Sequence, residues 1–446
     1  MKKTLKIFIT VVVAVAIAAA GFLAGYLTSK FSRGREVRSF EWALDTIREN
    51  YYEDLPEDEM GLTSLKAIAE MLDPYSAYYT AEEYKALVAS NGGAKSGIGV
   101  SYMYLPAGVH PHGKSGVLIE EVVGNSPAFY SGLKAGEFVS SGKAGEQTVE
   151  FTSSDAFGDF VDARATGEVF TIYTDRGEYQ MSKQNYTSSY CRMSTATKSW
   201  NIVYEGSSGY VEWEEGGISC LPAGTAYLKL DQFYGNAANE MAGLIEEFNA
   251  EHCTSLILDL RGNGGGYVNV MCDISDIFTG ELQNSNKIAM VAKYKSGRQE
   301  GFSVNDKFSG SEQLPAGTEV KVLADNGTAS ASEALIGVLV DNGVIGYGDI
   351  YLSDLSQNYL SYTGTADKNC RSYGKGIMQT TFENHTTHEA LKLTTAKIYW
   401  PNGETCIHDV GLNLSMGCNS LATDWDVVYG DPQLQSLCRI LGGAAL

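Results

Sequence analysis

An α/β multidomain protein is the fold class that this 446-residue sequence predicts. Three observations carry it. From Thr225 onward, buried-type strand runs alternate with amphipathic helical runs, the pattern of parallel pairing. Before that lies a stretch of short alternating strands around two short helices. Ahead of both, helix-spaced apolar residues follow an uninterrupted apolar run at the N terminus. Hydrophobic residues make up 44% of the chain and charged residues 20%, which fits a globular protein long enough for about two or three domains. The net charge of -21 excludes a nucleic-acid partner, because phosphate binding needs a concentrated basic surface.

Residues 1–6 carry Lys2, Lys3 and Lys6 and read as a short cytoplasmic tail. Residues 7–27 contain no charged side chain, and as a helix they would be about 30 Å long, the thickness of a bilayer core. The expectation is an uncleaved single-pass anchor that leaves the rest of the chain outside the cytoplasm at the cell membrane. Cleavage near the small residues Ala18–Gly21 would instead release a secreted protein. Lys30, Arg33, Arg35 and Arg38 follow the segment and blunt the charge bias that sets orientation.

Residues 38–92 form a helical region. Phe40, Ala43, Leu44 and Ile47 share one helical face, and Leu62, Leu65, Ile68, Ala69 and Leu72 another, with a break at Asp73-Pro74. Thr80 and Glu83 have the spacing of a capping box and start a helix running through Val88. Residues 93–188 form a compact module with strands at 117–123, 170–173 and 178–181 and helices near 126–136 and 154–163. Its lead-in, Gly97-Ile98-Gly99-Val100, can turn successive backbone N–H groups toward a carboxylate, although a plain tight turn satisfies the same pattern. Residues 189–415 form the α/β core. Its strands lie at 225–230, 255–260 and 320–324, and its helices at 237–249 and 331–340.

Chemistry concentrates where the 320–324 strand meets the 331–340 helix. Ser330 sits on that strand-to-helix turn, so the free N–H groups and positive dipole end of the helix face whatever its hydroxyl attacks. Thr328, Ser330 and Ser332 all qualify as a helix N-cap, and position alone does not separate nucleophile from cap. Lys375, between Gly374 and Gly376, is the candidate base. An amine with a reference pKa near 10.4 accepts a proton at neutral pH only in apolar or cationic surroundings, which Tyr373, Ile377 and Met378 offer. A solvated turn lysine fits the same local sequence. Gln379 has a carbonyl oxygen able to fix the amine. Gly264-Gly265-Gly266, after a buried strand, exposes backbone amides suited to an oxyanion hole, or is simply a flexible loop.

Seven motifs in order resemble the carboxyl-terminal processing peptidases, also called tail-specific proteases. They are Leu72-Asp-Pro-Tyr-Ser-Ala-Tyr-Tyr-Thr80, Gly97-Ile-Gly-Val100, Ser126-Pro-Ala with Gly132-Leu-Lys-Ala-Gly136, Leu258-Asp-Leu-Arg-Gly-Asn-Gly-Gly-Gly266, Thr328-Ala-Ser-Ala-Ser-Glu333, Gly374-Lys-Gly-Ile-Met-Gln379 and Leu391-Lys-Leu-Thr-Thr-Ala396. The resemblance extends from about Arg38 to about Leu414. It implies a serine endopeptidase with a crotonase-like α/β core at 189–415 and an inserted PDZ domain at 93–188, a β-barrel with two helices. It further implies that Ser330 is the nucleophile, Lys375 the general base and Gln379 the residue that positions it. The amides of Gly265 and Ala331 would hold the oxyanion. Gly97, Ile98, Gly99 and Val100 would bind the C-terminal carboxylate of a protein or peptide substrate.

Two features depart from the family pattern: a polar insertion from Asp349 to Arg371, and a core ending that reads Gly411-Leu-Asn-Leu-Ser415 in place of a Gly-Ile-Glu-Pro-Asp-like run; the extension at 416–446 has no assignment. The insertion keeps a second reading open, a catalytically inactive, membrane-tethered PDZ protein that only binds. Ser140-Ser-Gly-Lys143 has the spacing of penicillin-recognising acyltransferases, but their Lys-Thr-Gly element does not occur in the chain. The eight cysteines permit disulfides outside the cytoplasm and contain no Cys-x-x-Cys pair, and buried free thiols are the alternative. His110, His112, His252, His385, His388 and His408 have no metal-ligand spacing, so no metal and no cofactor are expected. A homo-oligomer is compatible with the sequence.

Overall fold

The computed structural model describes residues 35–50, 57–109, 113–206, 208–280, 287–354, 370–423 and 431–442. The expected membrane segment at 7–27 and the pair His110 and His112 lie outside them. Among the described residues no helix is long and apolar enough to cross a membrane.

The chain divides after Ile68 into two units. The first carries α1 (Arg35–Asn50) and most of α2 (Glu57–Glu70). α2 ends ahead of Asp73-Pro74, because a proline drives the residue before it out of the helical region. The second unit opens with β1 (Ala77–Tyr79) and α3 (Ala81–Asn91). The Thr80–Glu83 capping box forms as its spacing predicts: Glu83 N donates to Thr80 Oγ1 at 3.2 Å and Thr80 N to Glu83 Oε2 at 2.9 Å.

Next come β2 (Ala94–Gly97), β3 (Val100–Leu105), β4 (Gly116–Val122), α4 (Pro127–Ser131), β5 (Phe138–Ala144), β6 (Gln147–Glu150), α5 (Ser154–Asp162), β7 (Val169–Thr174), β8 (Glu178–Ser182) and β9 (Gln184–Thr187). β3-β4-β5-β7-β8 make an antiparallel sheet with β6 on β5, while β2 pairs β9 at the neck. Alternation along β4, β5 and β7 sends Val117, Ile119, Val139, Phe170 and Ile172 to one face, where Phe157, Phe160 and Val161 of α5 cover them. Phe151 meets Phe157 and Phe160 edge-to-face at 5.2 and 5.3 Å.

The remaining elements are β10 (Cys191–Ser194), β11 (Lys198–Glu205), β12 (Ser208–Glu215), β13 (Thr225–Leu230), α6 (Ala237–Ala250), β14 (Ser255–Asp259), α7 (Val268–Thr279), β15 (Ile288–Tyr294), β16 (Gln299–Ser303), β17 (Glu319–Ala324), α8 (Ala331–Asp341), β18 (Ile350–Ser353), β19 (Ile377–Glu383), β20 (Ala390–Tyr399), β21 (Asn419–Leu421) and α9 (Pro432–Leu441). An eight-stranded sheet runs β12-β11-β10-β13-β14-β17-β18-β21, with β13 through β21 parallel. All six residues of β13 are buried, as a strand covered on both faces must be. Leu228, Leu258 and Val322 pack on one side with Ile245, Phe248 and Leu335. Tyr227, Ile257 and Leu323 pack on the other with Leu434 and Leu437 of α9. A second sheet, β1-β20-β15-β16 with β19 on β20, places the Asp73–Thr80 motif beside the end of the core.

Two expectations change. The segment expected as a polar inserted loop from Asp349 begins as buried strand β18, paired between β17 and β21. The extension after Met416 supplies β21 and the helix that covers one face of the sheet, so the core does not end at 415. The four-residue strand is too short to show a period, whereas the ten-residue helix carries a start signal, Asp431 at the cap and Pro432 in the first turn, that the expectations leave unused.

Candidate active site

β14 and β17 are parallel neighbours, so the turns that follow them emerge together at the carboxyl ends of the strands, where open α/β sheets place their ligands. Side chains sew the two turns to each other. Asp325 Oδ1 accepts from Gly262 N at 2.9 Å, Gly327 N at 2.9 Å and Thr328 N at 3.1 Å. Thr328 Oγ1 donates to Leu260 O at 2.8 Å, Ala329 N to Asn263 O at 3.0 Å, and Ser332 Oγ to the same oxygen at 2.9 Å. Thr328 and Ser332 are thereby committed to structure. Ser330 is not. It occupies the cap position of α8 with φ 59° and ψ -114°, and its side chain makes no cap hydrogen bond. A non-glycine residue held at positive φ is strained and persists only where its surroundings over-determine it.

The over-determining group is Glu333. This carboxyl is fully buried, and its Oε2 accepts from both Ser330 N and Lys375 N, each at 2.9 Å. Its Oε1 accepts from Gly374 N at 2.8 Å and from Ser372 Oγ at 2.5 Å. Burial pushes the Glu333 carboxyl up, against the pull of the groups that donate to it. One carboxyl therefore fixes the backbones of the candidate nucleophile and the candidate base. The glycines beside Lys375 let this segment lie against residues 407–411: a Cβ at Gly374 would lie 2.8 Å from Gly411 N, and one at Gly376 2.7 Å from His408 N.

The Lys375 amine is half-buried and lies 4.5 Å from the centre of the Tyr75 ring. Burial lowers its pKa from the ordinary lysine value, and the charge of Lys392 adds to that, while Glu333 and Asp73 oppose it. Among the described residues no hydrogen bond joins Lys375 Nζ to Ser330 Oγ. Gln379 makes a hydrogen bond that its motif did not announce. Its Nε2 donates to Thr394 Oγ1 at 3.0 Å, and Thr394 Oγ1 to Asp73 Oδ1 at 3.2 Å. A bulge between Met378 and Gln379 interrupts the register of β19 against β20 at this position. Gly265, with φ 98°, lies hard against the nucleophile: a Cβ there would be 2.9 Å from Ser330 Cβ, 2.8 Å from Ala329 O and 2.9 Å from Ala331 N. Its own N–H, however, donates to Asn263 Oδ1 at 2.9 Å. Ala331 N–H heads α8, among the donors that a helix leaves without internal partners.

Residues 224–347 match the sequence model of Peptidase family S41. That stretch carries an S41 peptidase domain, and the chain as a whole is similar to carboxyl-terminal-processing serine proteases. The chain is 23% identical to the Probable CtpA-like serine protease of Staphylococcus epidermidis over 90% of its own length and 67% of the relative's. It is 30% identical to the Carboxyl-terminal-processing protease of Synechocystis over 42% of its length and 36% of the relative's. Its fold is shared with an S41 protease crystal structure from Bacteroides fragilis at 15% identity and a TM-score of 0.54, covering 88% of this chain and 91% of that one.

Three residues of the site were visible in the motifs but carried no role there. Glu333 stands three residues after Ser330, the spacing of a capping box, and that signal alone would have placed its carboxylate on Ser330 N. Asp73 accepts from Tyr75 N and Ser76 N, each at 2.8 Å, and so presents the Tyr75 ring to Lys375. Arg261 is buried against Asp259 at 2.6 Å directly before the glycine loop. Burial raises the Asp259 carboxyl, but Arg261 and Lys229 outweigh it and hold it well below the ordinary range. No signal in the sequence paired Arg261 with its second partner, Asp431, 170 residues away. In the 93–188 module, Gly97 (φ 138°) and Gly99 (φ 79°) bracket buried Ile98. A Cβ at Gly99 would fall 2.2 Å from Ser126 Cβ, so only glycine lets this loop lie against the start of α4. Among the described residues no group of three or more His, Cys, Asp and Glu side chains suits a metal.

Proposed function

We propose that this S41 peptidase is an endopeptidase that captures the C-terminal tail of a protein substrate and cleaves the chain by acylation of Ser330. The Glu333 carboxyl carries this reading, because it holds Ser330 N and Lys375 N on a single oxygen. Neutral Lys375 takes the hydroxyl proton as Ser330 Oγ attacks the scissile carbonyl, then returns it to the leaving amine; water repeats the sequence on the ester. Ala331 N–H and a glycine N–H from 264–266 receive the oxyanion. For the first step the amine swings from the Tyr75 ring to Ser330, and Gly265 exchanges Asn263 Oδ1 for the substrate oxygen. Tail capture falls to the 93–188 module acting as a PDZ domain. β3 pairs only β4 among the described strands, which leaves its other edge for an added strand. Ile98 O accepts from Ala128 N and Gly99 O from Val123 N, so planar trans peptides point the N–H groups of Gly99 and Val100 the opposite way, toward a carboxylate. Residues 7–27 tether the enzyme to the membrane, with the peptidase outside the cytoplasm.

The contact of the Lys375 amine with Tyr75 favours a second reading, a PDZ protein that binds tails without cleaving them. A fluorophosphonate separates the two, because only an activated hydroxyl reacts. Labelling of the wild type that vanishes in both Ser330→Ala and Lys375→Met supports the dyad. Labelling retained in Lys375→Met sinks it. A Gly99→Ala variant that still labels at the normal rate but cleaves tailed substrates no faster than tailless ones assigns tail capture to this loop.

A further inference from the structure

Two sulfurs meet on the face of the eight-stranded sheet covered by α9. Cys220, in the turn after β12, and Cys438, on α9, lie 218 residues apart in the chain with their Sγ atoms 3.1 Å apart. Among the described residues no disulfide is formed, and this is the pair whose sulfurs are in contact. Cys220 is half-exposed and reachable by a soluble oxidant, whereas Cys438 is buried. The two thiols differ in acidity. Contact with Cys438 holds the Cys220 thiol below its ordinary range, and the same contact, with burial, pushes Cys438 far above it. The exposure of Cys220 suits it to attack first, with buried Cys438 as the resolving thiol.

The helix carrying Cys438 reaches the catalytic loops. At its start Asp431 Oδ2 accepts from Arg261 Nη2 at 2.5 Å, and Gln433 Oε1 from Arg261 Nη1 at 3.0 Å. Arg261 immediately precedes the glycine loop that touches Ser330. α9 is held at its first turn by these polar contacts and along its length by Leu434 and Leu437.

We propose that Cys220 and Cys438 form a redox pair whose disulfide staples α9 to the sheet and thereby secures the support of Arg261 beneath the glycine loop. The oxidant is a low-molecular-weight disulfide such as oxidised glutathione. The Cys220 thiolate attacks one glutathione sulfur and expels a glutathione thiolate; Cys438 loses its proton to solvent, attacks Cys220 Sγ and expels the second. Two protein thiols lose two electrons, one S–S bond forms, and the glutathione disulfide is reduced to two thiols. A dithiol reductant reverses the exchange. The pairing does not rest on the catalytic reading, because its readouts are a covalent bond and the protection of a helix.

The full chain is incubated with oxidised glutathione, alkylated under denaturing conditions, digested and analysed by mass spectrometry. A Cys220–Cys438 linked peptide is expected in the wild type, with two of the eight cysteines unalkylated, and no linked peptide in Cys220→Ser. Hydrogen exchange at α9 amides should slow by about tenfold or more in the oxidised wild type relative to the reduced. Retention of eight alkylatable thiols, arrest at a glutathione adduct on Cys220, or a link between other cysteines overturns the pairing. A link that leaves α9 exchange unchanged overturns the staple.

Discussion

Glu333→Gln tests the clamp at the centre of the site. The substitution keeps the shape of the side chain and exchanges one acceptor oxygen for an NH2 group. Placed at the Oε2 position, that group would face Ser330 N–H and Lys375 N–H together; at the Oε1 position it faces only Gly374 N–H and Ser372 Oγ, and the second arrangement prevails. Ser372 Oγ already accepts from Leu412 N at 2.7 Å, so it takes the new donor imperfectly. One buried N–H is left without an acceptor at about 1–3 kcal/mol, and weakening of the remaining bonds brings the total to roughly 2–4 kcal/mol. That is within the 5–15 kcal/mol by which domains are commonly stable, so the variant folds with a lowered guanidinium midpoint. Catalysis suffers more, since a displacement of about 1 Å between reacting groups costs on the order of 100-fold. The assay is the rate of fluorophosphonate acylation, measured beside the denaturation midpoint. Acylation at the wild-type rate in folded Glu333→Gln would refute the clamp.

Lys375→Met should abolish acylation with stability unchanged or slightly raised, because a partly buried amine disfavours the folded state when charged; urea titration checks it. In the wild type, acylation should rise with pH through a Lys375 pKa below the ordinary lysine value, since the protonated amine accepts nothing, and a rate independent of pH across that range counts against the base. Gly265→Ala forces a Cβ onto Ser330 and Ala331 at positive φ and should lower acylation at least about 100-fold and stability by about 1–3 kcal/mol; normal labelling would remove this loop from the site. Burial lifts the Glu240 carboxyl to about 7, so the folded state binds its proton more tightly than the unfolded chain does. Its contribution is full below the ordinary glutamate pKa of about 4.3 and is lost as pH rises through about 7, and Glu240→Gln should flatten that decline in thermal melts.

Local chemistry and periodicity determined much of this protein in advance. The Thr80–Glu83 box, the strands at 225–230, 255–259 and 319–324, and the helices after the first and last of these strands are written in runs long enough to carry a period, and the serine on a strand-to-helix turn follows from their order. Tertiary structure decided which groups meet. Tyr75 donates to the Tyr373 hydroxyl across 298 residues, Thr394 to Asp73 across 321, and Arg261 to Asp431 across 170. It also decided that Gln379 turns to Thr394, that Gly265 N–H turns to Asn263, and that β18, β21 and α9 complete the sheet. A hydrogen bond between distant residues leaves no period behind it, and a short element buried by its neighbours draws its stability from them, so neither exists until the chain has closed around it.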